Sequence, residues 1–405
     1  MKNVLVAQSG GPTAAINATL AGVFERAATS ADVGTVYGAL HGIKGVIHDN
    51  LINLNDKLSG PDAINRLIHT PSSALGSCRL KMGSPKDDPK TYEAIFENLR
   101  KYNIGWFIYI GGNDSMDTVM KLSDYAKSAG SDISIMGAPK TIDNDLRGMD
   151  HTPGFGSAAK YIATTFIELW HDINVYDVPA VTLVEVMGRH AGWLTASSAL
   201  ASLHCGAPQL IYLPEVPFDN TRFINDLRKK LSVCPALLVA VSEGIKYADG
   251  TFVGEAVQSG VTDAFGHKYL SGAARPLEGL VRKEIGCKVR AVDLSLMQRC
   301  AGHLASSNDL TEARLLGATA LDRAIKGVSG EVSVIHRISD SPYSVRYCTA
   351  PVCEIANKEK VVPREWINAQ GNYVTDEMIT YLTPLIDGEF GVKTGHGVPS
   401  YINLH

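Results

Sequence analysis

One short string, Pro139-Lys140-Thr141-Ile142-Asp143-Asn144-Asp145, sets a cation, a hydroxyl and two carboxylates next to one another. Those are the groups phosphoryl transfer needs. Lys140 can neutralise phosphate charge, Thr141 can orient the group, and one aspartate can take the proton of an attacking hydroxyl. Read as a plain polar turn, the string would need one Asx residue and not the whole set. Two glycine turns extend the pattern. In Gly111-Gly112-Asn113-Asp114-Ser115 the glycines let backbone approach a phosphate, and Ser115 can cap a helix and touch a phosphate oxygen. Asn113 and Asp114 carry oxygens of the kind a hard cation such as Mg²⁺ takes. An Asx turn opening a helix accounts for the same residues structurally. Ser9-Gly10-Gly11 is as much a tight turn as an anion cradle when taken alone.

Each of these turns sits between an apolar run and a helical pattern. Strands are predicted over 3–8, 106–110 and 133–137, and helices over 14–28 and 115–128. Further strands are predicted at 33–40, 180–186, 209–213 and 236–241, and helices at 89–102, 154–174, 191–203 and 218–231. Apolar runs without alternation mark strands covered on both faces. Interleaved with helices, they give a parallel sheet built from right-handed crossovers, with ligands at the carboxyl ends of the strands. From residue 337 onward the periodic signals fade. No linker rich in Ser, Pro or Gly divides the chain, so any two domains share an interface.

The 405 residues allow roughly two to three domains. With 45% hydrophobic and 20% charged residues, the chain has a globular composition. A net charge of −4 argues against a general nucleic-acid binder and leaves room for a local cluster of arginines. The seven cysteines show no two-residue spacing, which fits reduced thiols, and the histidines show no metal-binding pattern. No stretch approaches the ~20 apolar residues of a membrane span, and no signal-peptide core is present, so a cytoplasmic protein without membrane partners is expected.

The Gly-Gly-Asn-Asp-Ser turn, the Thr-Ile-Asp-Asn-Asp string and Met187-Gly188-Arg189 follow the order and spacing of the phosphofructokinase family, which the chain resembles over about residues 1 to 330. Ser242-Glu243-Gly244 and Gln298-Arg299 extend the match. The resemblance implies two Rossmann-like α/β/α domains with the active site in the cleft between them. A phosphoryl-donor domain would take residues 1–152 and about 298–330, a sugar-phosphate domain 153–297, and 331–405 would form a C-terminal extension. It further implies transfer to the 1-hydroxyl of fructose 6-phosphate, with Asp143 as general base. Thr141 and Asp145 would support the phosphoryl group and Mg²⁺, and Arg189 would stabilise developing charge. Ile142, Met187, Gly188 and Glu243 would hold the sugar, and Arg290 and Arg299 its 6-phosphate. Gly10, Gly11, Arg79 and residues 111–115 would serve the donor. In the family one such arginine arrives from a neighbouring subunit, so Arg290 implies a homodimer or homotetramer.

Donor choice turns on Asp114 and Lys140. ATP-using relatives carry glycine at both positions, and pyrophosphate-using relatives carry Asp and Lys. A carboxylate beside the α-phosphate of a nucleotide costs about 4 kcal/mol at ~4 Å and an effective dielectric of 20, roughly a thousandfold preference. Pyrophosphate is therefore the expected donor. An ATP-driven enzyme and a pyrophosphate-driven kinase of another sugar phosphate, such as sedoheptulose 7-phosphate, are the alternatives. NAD and lipid kinases share a Gly-Gly-Asp-Gly-like turn and lack the other strings, and a non-catalytic subunit would be expected to lose Asp143 or Arg189. Three departures stand out: Asn113 replaces a metal-binding carboxylate, Leu296 a substrate-binding His or Tyr, and Ala180 a second cross-subunit arginine. His303 and Lys81 are candidates to compensate.

Overall fold

The computed structural model describes residues 1–404 except 61, 176 and 256–271. Its first half alternates strand and helix. Strands β1 (Lys2–Gln8), β2 (Val33–Ala39), β3 (Leu51–Asn53), β4 (Ile104–Gly111) and β5 (Ser134–Pro139) are joined through helices that include α1 (Ile16–Ala28), α2 (Pro89–Lys101) and α3 (Asn113–Ser128). Strands β5, β4 and β1 lie side by side and parallel. Val6, Ile108 and Met136 form one row across them. Side chains alternate across this sheet. Val4, Val6, Ile108 and Met136 pack with Leu20 and Val23 of α1, and Leu5, Phe107, Tyr109 and Ile135 pack with Ile95, Leu99 and Val119 of α2 and α3.

A long helix, α4 (Phe155–Ile173), leads into a second parallel sheet. It holds β6 (Ala180–Val186), β7 (Leu210–Tyr212), β8 (Ala236–Ser242) and β9 (Lys288–Asp293) in the order β7-β8-β6-β9. Helices α5 (Asn220–Leu231) and α6 (Ala274–Glu284) belong to this unit. The chain then returns to the first unit through α7 (Ser307–Ile325), which packs on α1, and through a hairpin of β10 (Glu331–Asp340) and β11 (Tyr343–Pro351). The hairpin docks β10 in parallel on β5, through Glu331 opposite Met136, and completes a seven-stranded sheet. Residues 331–351, expected within an extension, are therefore the far edge of the first sheet.

Several element boundaries shift by a residue or two from the sequence reading, and two differences have a plain local cause. The helix predicted over 191–203 is α-helical only at Trp193–Ser197 and tightens to a 3₁₀ turn over Ser198–Leu203. Ser197 and Ser198 hydroxyls donate to the carbonyls three residues back, at 2.6 and 2.7 Å, and so compete with the α ladder. The helix predicted from 218 starts at Asn220 because the Asp219 carboxylate accepts from the Arg222 N–H at 2.7 Å and caps it.

The two units are joined at the start of α4. Asp309 of α7, buried, accepts hydrogen bonds from Gly154 N–H (2.8 Å), Ser157 N–H (3.0 Å) and the Ser157 hydroxyl (2.5 Å). An anion at a helix N-terminus is favourable, and here it also ties α7 to α4. Asp309→Ala leaves three donors unsatisfied. Its urea midpoint is expected to fall by the equivalent of about 2–3 kcal/mol, against less than half that loss for Asp309→Asn.

Candidate active site

Because β1, β4 and β5 are adjacent and parallel, the turns that follow them emerge next to one another. Gly10 and Gly11, Gly112 to Ser115, and Lys140 to Asp143 with Asp145 line one cleft of about 690 Å³. The backbone ladder runs on into the turns. Ser9 N–H donates to Ile110 O and Lys140 N–H to Gly111 O, both at 2.9 Å. The second unit repeats the device. Met187, Arg189 and His190 follow β6, and Glu243 follows its neighbour β8, with the Glu243 N–H on Val186 O at 3.0 Å. Arg79 and Arg299 complete the cationic part of the lining.

Two glycines are dictated by geometry. A β-carbon on Gly111 would lie 2.0 Å from Ser115 Oγ. Gly188 has φ +132°, and a β-carbon there would lie 2.6 Å from Ala191 O. Gly188 N–H donates to Glu243 Oε1 (3.3 Å) while Ser242 Oγ donates to Gly188 O (2.6 Å), so the Met-Gly-Arg turn and the Glu243 turn brace each other. Met187 N–H donates to Gln298 Oε1 at 3.2 Å, which brings the Gln298-Arg299 segment to the same place.

Thr141 Oγ1 donates to Asp143 Oδ2 (3.3 Å) and accepts from the Asp143 N–H (3.1 Å), fixing the carboxylate over its own turn. Burial raises the Asp143 pKa, and the Thr141 hydroxyl, Lys140, His190 and Arg299 pull it back. Asp145 is pushed up to about 7, first by burial and then by the charge of Asp143. Burial also takes Glu243 up to about 7. Lys140 is buried, donates to Gly11 O at 2.6 Å, and is lowered to about 8 by desolvation, with Asp143 opposing and Arg299 and Arg79 adding to the shift. The cleft thus holds cations and carboxyls that are only partly compensated, a site preset for an anionic ligand.

Not every predicted residue falls where it was expected. Gly112, not Ser115, holds the cap position of α3, and Ser115 is buried in the first turn. The Asn113 amide is committed elsewhere. Its Oδ1 accepts from Asn357 N–H (2.6 Å) and its Nδ2 donates to Lys358 O (3.2 Å), so among the expected metal ligands Asp114 alone keeps an exposed side chain on the cleft. Arg290 is half-exposed on β9, an edge strand, beside Asp172 (3.8 Å) and near Ala180, outside the cleft of its own chain. Leu296, Lys81 and His303 are exposed and outside the lining. Five lining residues lie outside the sequence reading, Leu80, Thr118, His190, Asn357 and Glu359, and the last three bring an imidazole, an amide and a carboxylate to the cleft. His190 directly follows Met-Gly-Arg, and its place at a strand end was the available signal. Asn357 and Glu359 have none, since their neighbours on the cleft lie more than 200 residues away.

Fold and cleft together define a class, an α/β phosphoryl-transferring enzyme with its site between two units. The chain belongs to the phosphofructokinase family, whose model matches residues 3–324. It is 42% identical to a pyrophosphate--fructose 6-phosphate 1-phosphotransferase of Xanthomonas campestris and 39% identical to one of Halomonas elongata, over 99% of this chain and 96% of each relative. A solved structure of a pyrophosphate-dependent phosphofructokinase from Nitrosospira multiformis superposes with a TM-score of 0.89 at 35% identity, covering 99% of this chain and 96% of that one.

Glu243 gives a test of these electrostatics. Its folded pKa, about 7, lies above the unfolded value near ~4.3, so folding takes up a proton between those limits. The stability that goes with that proton is complete below the unfolded value and is lost as pH rises through the folded one. Glu243→Gln should therefore be more stabilised relative to the parent at pH 8 than at pH 5, measured by chemical unfolding at both.

Proposed function

We propose that this chain transfers a phosphoryl group reversibly from pyrophosphate to the 1-hydroxyl of fructose 6-phosphate, giving fructose 1,6-bisphosphate and phosphate. One observation carries the choice of donor: Asp114 and Lys140 both line the cleft beside Gly10 and Gly11, in a chain similar over its full length to enzymes named for pyrophosphate. The Asp114 carboxylate narrows the donor space by charge, and Lys140 meets the pyrophosphate and the phosphate that leaves.

Asp143 takes the proton of the sugar hydroxyl as that oxygen attacks the terminal phosphorus. Arg189, Lys140 and Thr141 stabilise and orient the group in flight, and Arg79 and Arg299 are placed for the phosphate ends of the two substrates. Met187, Gly188, Ile142 and Glu243 border the sugar. The residues present fit Mg²⁺. The buried Asp145 Oδ1 has no hydrogen-bond partner, and the Asp114 carboxylate faces the cleft. No cluster of three metal-binding side chains occurs among the described residues, which suits an ion that completes its shell with water and phosphate oxygens. Bound there by Asp114 and Asp145, it would supply positive charge to the pyrophosphate.

The same reading assigns the first sheet and its helices to the donor and the second to the sugar phosphate. It includes a homodimer or homotetramer in which the half-exposed Arg290 serves a partner's 6-phosphate site, and a cytoplasmic location in keeping with seven free cysteines. No helix among the described residues is long and apolar enough to cross a membrane.

Steady-state kinetics with pyrophosphate and with ATP, each against fructose 6-phosphate and sedoheptulose 7-phosphate, test the reading. Turnover is expected with pyrophosphate and fructose 6-phosphate, and turnover with ATP alone would refute the donor assignment. Asp143→Asn should lower kcat by on the order of 10²–10⁴-fold while fructose 6-phosphate still binds, as measured by calorimetry.

A further inference from the structure

Asp143 and Asp145 flank a residue whose backbone is held in an uncommon state. Asn144 has φ +53°, the left-handed region, and its side chain is fully buried. Asparagine tolerates that conformation better than most residues, yet it persists only where the surroundings fix it. Here they do. Asn144 Oδ1 accepts from Thr152 N–H (3.1 Å) and from Lys360 Nζ (3.3 Å), and its Nδ2 donates to the Tyr381 hydroxyl (2.9 Å). The two donors on one oxygen set the orientation of the amide.

Both side chains come from beyond residue 324, where the family match ends. Lys360 also donates to Asp150 O (2.6 Å) and Met149 O (3.3 Å), and its backbone N–H to Asp145 O (2.7 Å). Its ammonium thus gathers neutral oxygens from one loop while sitting 5.1 Å above the Trp193 ring, whose Nε1 donates to Lys360 O at 2.9 Å. The Tyr381 hydroxyl donates onward to Asp150 O (2.8 Å), and the Arg337 guanidinium stacks on its ring at 4.5 Å. The hydrogen bonds of the Lys360 ammonium and backbone N–H and of the Tyr381 hydroxyl all end on the same turn, at Asn144, Asp145, Met149 and Asp150. A buried ammonium bonded to neutral groups is costly to desolvate, and what it achieves here is a fixed loop.

We propose that Lys360 and Tyr381 are positioning residues for Asp143, acting through Asn144, so that the segment after the family domain preorganises the catalytic turn. Neither touches the substrates in this reading, so each should act on the reacting geometry and not on binding. The inference rests on the phosphotransferase reading above.

Tyr381→Phe removes one hydroxyl, Lys360→Met removes the ammonium at similar length, and Lys360→Arg keeps the charge. With pyrophosphate and fructose 6-phosphate, kcat of the first two is expected to fall about tenfold or more with both KM values within about twofold, and Lys360→Arg to recover most of its loss. Amide hydrogen exchange should quicken over residues 141–152 in Tyr381→Phe and Lys360→Met while the β1–β4 ladder keeps its protection. Unchanged kcat in both variants, or a kcat loss that only follows the loss of folded protein, would overturn the proposal. A parent chain inactive with this substrate pair would sink the functional reading instead, and the exchange result would still decide whether the clamp exists: unchanged exchange over 141–152 refutes it.

Discussion

Parallel strands that stop at one level leave their connecting turns a single place to gather. Gln8 pairs with Ile110, and Gly111 with Pro139, so β1, β4 and β5 end together and release three polar turns along one edge. The second unit meets this edge with the ends of β6 and β8, paired to their last residues at Val186 and Ser242. The groups that line the cleft owe their convergence to this register. A shift of one residue in either sheet would reverse the facing of a strand and misplace the turn that follows it. The apolar rows across both sheets, buried on both faces, are what make such a shift costly.

On that frame the cleft is an electrostatic compromise. Arg79, Lys140, Arg189 and Arg299 line one cleft with Asp114, Asp143, Asp145, Glu243 and Glu359. Burial pushes Lys140 down and Asp145 and Glu243 up, so each charge is held at some cost until a ligand arrives. In the proposed reaction a pyrophosphate or a doubly phosphorylated product adds negative charge to this space, and the Mg²⁺ of that proposal would add positive charge beside the carboxylates.

Much of this could be read in the sequence, and the reason is local. Strand, turn and helix occur within a few residues, so the 9–11, 111–115 and 139–145 strings carry their own structural context. That context pointed to one aspartate of 139–145 as a base, and the family resemblance singled out Asp143, Arg189 and Glu243. What escaped depends on distant partners. Asn113 looked like a metal ligand because nothing nearby shows that Asn357 and Lys358 take up its amide. Lys360 and Tyr381 carry no motif, and their meaning lies only in the turn they meet. The β10–β11 hairpin was invisible because β11 lies at the sheet edge with a half-exposed pattern, which lacks the continuous apolar run of a central strand. Arg290 is a residue type suited to a phosphate, and the edge position of β9 sets it outside the cleft of its own chain.

The return of the chain to its first sheet has a consequence for biosynthesis. The first sheet draws β1 to β5 from residues 2–139 and its last two strands from 331–351, with all four strands of the other sheet lying between. A ribosome delivers the inner unit whole before it has delivered the outer one. During translation β5 must wait with one edge uncovered while roughly 200 further residues are added, an interval of about 10–40 s at ordinary elongation rates. Edge strands left open invite pairing with other chains, so this nascent polypeptide is most exposed to aggregation late in synthesis, and a ribosome that stalls before residue 331 leaves a product with an unclosed sheet.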